Sequence, residues 1–205
     1  MFLNIRSFLI GIGFMICSAV MCAQDTTSTA SYSYKRKGLV NTQLYIPNAI
    51  GSNFVSDGMK VKPGFKLSAL GRIYPKVLLG VRYSLFEAEV TQPEYTGSYE
   101  RSRMFLIGGD IGYQFDLLSN LDLIITAGGG YVSYLGIKDD LDFRDSGGAI
   151  WLNPEWSYSI FKWLAITAGV EIRADYLNIK TASQLEGNFN EVTYLNLGSG
   201  LRFML

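Results

Sequence analysis

The chain has 205 residues with 18 basic and 18 acidic side chains, a balance that gives no reason to expect nucleic acid as a partner. It has no histidine, which removes the commonest general base and the commonest zinc ligand. Past the N-terminal segment there is no long unbroken apolar run, which argues against a helical membrane protein, and the length suits one domain once targeting sequence is removed.

Arg6 supplies a positive start, residues 7–20 are uncharged and mostly apolar, and Ala23 is a small residue at a plausible cleavage point. This pattern predicts a secretory signal peptide over residues 1–23. The competing reading is an uncleaved anchor, for which the run is short of the roughly 20 residues a span needs. Cys17 and Cys22 both lie here, so cleavage after Ala23 leaves a mature chain without disulfides. Cys22 as a lipidated N-terminus is a further alternative; Met21 before it is a poor match to the small residue such sites want. Residues 24–37 open on a Ser/Thr-rich run and read as a flexible lead-in. Residues 38–205 read as the folded domain.

Period-two alternation, the signature of strands, then fills the chain. It covers residues 40–46, 65–73, 77–85, 105–115, 121–131, 150–160, 164–176 and 192–205. In 164–176, for instance, Leu164, Ile166, Ala168, Val170, Ile172, Ala174 and Tyr176 take one face, and Ala165, Thr167, Gly169, Glu171, Arg173 and Asp175 the other. In 192–205 the apolar face runs through Leu195, Leu197, Leu201, Phe203 and Leu205 without fading. An uncovered apolar strand invites aggregation in water, whereas lipid covers it in a barrel. Pro154 sits inside a strand, where it removes a ladder hydrogen bond, and is expected to mark a bulge or an outer-leaflet irregularity.

The connections alternate in length. Residues 74–76, 116–120 and 161–162 are short; residues 47–64, 87–103, 136–148 and 177–191 are long and polar. Eight strands with both termini on the short-turn side give that order, as in outer-membrane barrels with short periplasmic turns and longer extracellular loops. A soluble sandwich or barrel, the competing reading, has no need of it. The predicted fold is all-β, an eight-stranded antiparallel up-and-down transmembrane barrel.

An eight-stranded barrel is just wide enough for side chains to fill. The inward sets hold Lys66, Arg72, Arg82, Arg173 and Arg202 with Asp110, Glu155, Glu171 and Asp175. Charges in so narrow a space must pair, and their near-balance predicts a plugging ion-pair network rather than an open pore selective for one sign. Aromatics are expected in two girdles: Tyr113, Phe115, Tyr158, Phe161, Trp163 and Phe203 near the short turns, and Tyr83, Phe105, Tyr131, Trp151 and Tyr176 toward the long loops. Gly128-Gly129-Gly130, with Gly108, Gly109 and Gly112, lacks the lysine and helix of a phosphate loop; strand glycines instead mark curvature or close approach across the lumen. Asp139, Asp140, Asp142 and Asp145 cluster without the spacing of a calcium loop and are expected in a solvated loop, with no metal.

With its signal segment, its alternating strands, the run Thr126-Ala127-Gly128-Gly129-Gly130-Tyr131 and the ending Gly200-x-x-Phe203-x-Leu205, the chain resembles the small outer-membrane β-barrel proteins of the OmpA/OmpX type. The resemblance implies that Gly200, Phe203 and Leu205 form the C-terminal signal read by the barrel-assembly machinery, with Leu205 in place of the commoner Phe. It implies a bacterial outer-membrane location, lipid as the surrounding partner, and long loops able to meet an extracellular surface partner. Enzymes among barrels of this class use an active-site histidine, so their activities do not carry over. The expected protein is non-catalytic, without cofactor, structural or surface-interactive; a narrow or gated small-solute channel is the alternative.

Overall fold

The computed structural model describes residues 38–96, 99–138, 141–179 and 189–205. The signal segment, the lead-in and the pair Asp139 and Asp140 lie outside these residues. The elements are β1 (Gly38–Ile46), β2 (Ala49–Ile50), α1 (Phe54–Gly58), β3 (Met59–Val61), β4 (Gly64–Tyr74), β5 (Val77–Val90), α2 (Pro93–Thr96), β6 (Arg101–Leu118), β7 (Leu121–Lys138), β8 (Leu141–Phe161), β9 (Leu164–Leu177) and β10 (Glu191–Met204). Among the described residues no helix is long and apolar enough to cross a membrane.

The ten strands form one antiparallel sheet, and β1 pairs with both β4 and β10, so the sheet closes into a ring. β2 is a short addition beside β10 and β3 one beside β5. Closure removes the sheet edges that would otherwise seek partners. Its register also fixes the tilt. Starting from Arg202 of β10, which faces Asn41, successive partners are Ser68, Arg82, Gly108, Gly130, Ala149 and Asp175, and the path returns to β10 at Val192. The strands are therefore staggered and inclined to the barrel axis.

Burial is inverted relative to a soluble barrel. Ile172 is 54% exposed, while its neighbours Glu171 and Arg173 are 4% and 2% exposed. Leu44, Val81, Ile107, Ile111, Ile150 and Ile166 all face outward, and Asn41, Lys66, Arg82, Asp110, Glu155 and Asp175 are buried inside. The faces follow the alternation in the sequence, because side chains of a strand point to opposite sides in turn.

Three sequence expectations need correction. Residues 87–103 and 136–148 are not wholly loop: β5 and β6 keep pairing through Glu89 and Arg101, and β7 and β8 through Lys138 and Leu141. Above the apolar band the contrast reverses: Phe86, Ala88, Ser102 and Met104 point into the core while Glu87, Glu89, Arg101 and Arg103 face out, so the apolar outer stripe that marked the strands below ends there. Residues 47–64 are not a plain polar loop, since they form β2, α1 and β3. Pro154 makes no bulge: the β8–β9 register is the same before it, at Leu152 and Ile172, as after it, at Glu155 and Gly169. The ladder simply lapses around the missing N–H. The short connections are two-residue hairpin turns, Pro75-Lys76, Ser119-Asn120 and Lys162-Trp163.

Candidate functional site in the barrel lumen

The lumen is filled in layers. At the short-turn end Leu39, Leu70, Leu78 and Ile124 meet across the barrel, with Met204 against them. Above this apolar floor, Arg202 pairs with Glu155 and donates to Ser157 at 2.6 Å and to Asn41 at 2.9 Å. Gln43 donates to the same Glu155 and, at 3.2 Å, to Thr167.

The middle layer centres on Glu171. Its carboxylate receives Lys66 at 3.3 Å, the Arg82 guanidinium, and the Asn196 amide at 2.8 Å. Arg82 also bridges Asp110 at 2.8 Å and donates to Thr126 at 3.1 Å. Lys66 reaches the Asn153 side-chain carbonyl at 3.0 Å. Trp151 completes the layer: its indole N–H donates to Asp110 at 2.6 Å and its ring lies 4.6 Å from the Arg82 guanidinium carbon. Two glycines make room for that ring. A Cβ at Gly108 or Gly128 would come within 2.6 Å of it.

Higher still, Arg173 pairs with Asp175 at 2.6 Å and lies over the rings of Tyr194 and Phe86, at 4.8 and 5.4 Å. The Tyr134 hydroxyl donates to Asp175 at 2.8 Å and meets the Tyr194 hydroxyl at 2.7 Å. This layer merges into a large apolar cluster of Tyr45, Phe86, Met104, Leu106, Val132, Trp151, Val192 and Tyr194. α1 covers the mouth. Asn53 caps its N-terminus by accepting from Val55 and Ser56, and the Ser56 hydroxyl oxygen accepts the Asn53 N–H in return. Phe54 and Val55 are buried in the cluster, with Phe54 stacked on Phe189 at 5.4 Å and tilted against Tyr134 at 6.0 Å.

The structure thus brings together Lys66, Arg82, Asp110 and Glu171, then Glu155 with Arg202, then Arg173 with Asp175. Arg72 is set apart and donates to Gln114 at 2.6 Å. Trp151 is not in the upper girdle, where the sequence placed it; it points inward and is 4% exposed. The alternation puts Tyr45 and Tyr194 on inward faces but assigns them no role, and Phe86 and Tyr134 lie just beyond the segments it marks; all four line the upper lumen. Sequence reasoning missed α1, whose Asn53…Ser56 capping pair was the available signal. Of the assembly-signal residues, Gly200 lies inward against β1, Phe203 stacks on Trp163 at 6.3 Å, and the exposed Leu205 donates its N–H to Gly38 at 2.9 Å. Asp145 sits in β8 opposite Tyr134, not in a loop. Among the described residues no cluster of Cys, His, Asp or Glu could hold a metal.

No protein-family model matches the chain, and no curated protein matches it. Solved structures do. Neisserial surface protein A aligns with a TM-score of 0.60 at 16% identity, over 82% of this chain and 96% of that one. The outer membrane protein OprG from Pseudomonas aeruginosa aligns with a TM-score of 0.54 at 9% identity, over 83% and 96%. The outer membrane protein AlkL aligns with a TM-score of 0.51 at 11% identity, over 89% and 96%. At these identities the likeness is one of architecture: the chain has the fold of bacterial outer-membrane β-barrel proteins.

Proposed function

We propose that the protein is a non-catalytic barrel of the bacterial outer membrane, with β1 and β4 to β10 as eight transmembrane staves, a closed lumen, and a structural or surface-interacting role. The observation that carries the reading is the inversion of burial: an apolar outer face surrounding a core of paired charges. Lipid is the natural solvent for the first, and a closed plug the economical use of the second. Ion pairs occupy the cations and carboxylates an open conduit would present to solute. The chain has no histidine to serve as the usual base.

The membrane band lies between two rings of outward aromatics. Tyr113, Phe115, Tyr158, Phe161 and Trp163 mark the short-turn side; Tyr83, Phe105, Tyr131 and Tyr176 mark the other. The short turns face the periplasm. The segments beyond Tyr83, Phe105 and Tyr131, with α1 and α2, face outside and offer the contact surface for an extracellular partner. Gly200, Phe203 and Leu205 serve the assembly machinery during biogenesis. A gated small-solute channel is the second reading, and α1, whose Phe54 and Val55 are buried in the upper apolar cluster, is the element that would have to move first.

Cysteine labelling of intact cells tests the proposal. Tyr95 on α2 is exposed, as is Lys162 in a two-residue turn. A membrane-impermeant maleimide is expected to label Tyr95→Cys in whole cells and Lys162→Cys only after the outer membrane is breached. Labelling of both, or of Lys162→Cys alone, would overturn the orientation.

A further inference from the structure

Above the upper aromatic ring, the outer wall of the barrel carries a band of charge confined to one side. Phe105 of β6 is outward, with Tyr131 at 6.0 Å from it. One outward row higher, about 7 Å further along the strand, Glu87, Arg103, Leu135 and Arg144 stand side by side on β5, β6, β7 and β8. The next row holds Lys60, Glu89, Arg101 and Ile137 on β3, β5, β6 and β7. Lys62 extends the band beside β5, its N–H bonded to the Glu87 carbonyl.

Among the described side chains these rows hold five cations and two carboxylates. Two of the cations are engaged: Arg103 donates to Glu87 at 2.8 Å, and Lys62 pairs with Glu89 at 2.6 Å. Lys60, Arg101 and Arg144 are exposed, and among the described residues none lies within ion-pair distance of a carboxylate. Their side chains leave a sheet wall sideways, in the plane of the membrane, rather than up into the medium. An outward cation one or two rows above an aromatic ring stands at headgroup height.

We propose that this band binds the phosphate groups of the glycolipid headgroups in the outer leaflet. It rests on the outer-membrane reading and adds to it a lipid class and a side of the barrel. Phosphate suits the arrangement chemically. Arginine presents a planar fork to phosphate oxygens, and lysine adds a point charge. The Glu87–Arg103 and Glu89–Lys62 pairs hold the neighbouring carboxylates, so that Lys60, Arg101 and Arg144 remain for an anion from outside.

The test is native mass spectrometry of the detergent-solubilised full-length protein titrated with bisphosphorylated lipid A and with its dephosphorylated form. Wild type is expected to retain the phosphorylated form preferentially, and added salt to weaken it. Each cation removed is expected to cost about fivefold in affinity. Arg101→Gln alone reads one such step, and Lys60→Gln/Arg101→Gln/Arg144→Gln should lose on the order of a hundredfold. Lys76→Gln/Lys162→Gln, at the other end of the barrel, should change it less than about twofold. Equal retention of the dephosphorylated lipid, an unchanged triple variant, or full displacement by a soluble polysulfated saccharide or by inorganic phosphate would overturn the proposal. Insertion into plain phosphatidylcholine vesicles, read by heat-modifiable migration, separates the two claims. A barrel that inserts there without phosphate preference sinks only the lipid site; one that fails to insert sinks the membrane reading and the site together.

Discussion

Replacing Glu171 with Gln removes one charge from the centre of the lumen and almost nothing else. Glu171 Oε2 faces Lys66 and Arg82, and Oε1 accepts from Asn196. The new amide can keep its oxygen toward the cations. Its NH2 would then face the Asn196 NH2, a clash of donors that a flip of Asn196 relieves, since Asn196 Oδ1 has no other partner among the described residues. The charge loss has no such repair. Arg82 retains Asp110, but Lys66 keeps only neutral acceptors, the new amide oxygen and the Asn153 carbonyl. A buried ammonium stripped of its carboxylate should cost about 3–5 kcal/mol. Urea unfolding of vesicle-inserted protein, followed by tryptophan fluorescence and heat-modifiable migration, measures it. Adding Lys66→Met removes the stranded charge, so the double variant should recover much of the loss. A Glu171→Gln cost below about 1 kcal/mol, the scale of an exposed pair, would refute the picture of a dry, plugged lumen.

Other outcomes follow from the same geometry. Val170, opposite Leu197 on the outer face, should not tolerate arginine: Val170→Arg is expected to cost roughly 2–4 kcal/mol near the midplane in the same titration. A silent variant that still inserts would show the wall faces something other than lipid. Gly128→Ala would drive a methyl to within 2.6 Å of Trp151 and 2.2 Å of the Gly109 carbonyl, so a loss of about 1–3 kcal/mol is expected, whereas Gly71→Ala, with nothing nearer than 3.7 Å, should be near neutral. Above the membrane band, burial raises the Asp145 carboxyl and the Lys62 ammonium, through a hydrogen bond and its charge, lowers Glu89. A carboxylate whose folded value is raised opposes folding at neutral pH, and that opposition fades as pH falls through the folded value; a lowered one supports folding until pH falls through its own. Carboxyl NMR titration should therefore find Asp145 midway above, and Glu89 below, the ordinary carboxylate range. The reverse order would contradict both placements.

The faces of the staves were legible because lipid and lumen impose opposite demands on alternate residues, and period two carries that contrast directly from Leu44 beside Gln43 to Ile172 beside Arg173. The pairing of the lumen charges was not legible. It depends on how far β10 is staggered when it meets β1, and no single strand encodes that. Arg202 lies beside Ala165 of β9 yet pairs with Glu155 of β8, one strand further on. Glu171 likewise finds its cations, Arg82 and Lys66, across the barrel, while its neighbour Asn196 supplies only an amide. Strand ends were lost for a different reason: beyond the aromatic ring the outer face turns polar at Glu87 and Glu89 while Ala88 stays buried inside, so the apolar outer stripe stops although the pairing continues. α1 hid in a polar stretch because its two buried apolar side chains, Phe54 and Val55, are too few to show a period.

The central claim is that this barrel is closed, and electrical conductance tests it most directly. Refolded wild-type protein in a planar bilayer is expected to stay at the background of the protein-free membrane, with the Arg82, Glu171 and Asp110 bridges intact beneath α1. Large, steady, ion-selective currents from the wild type would contradict it and put the channel reading in its place.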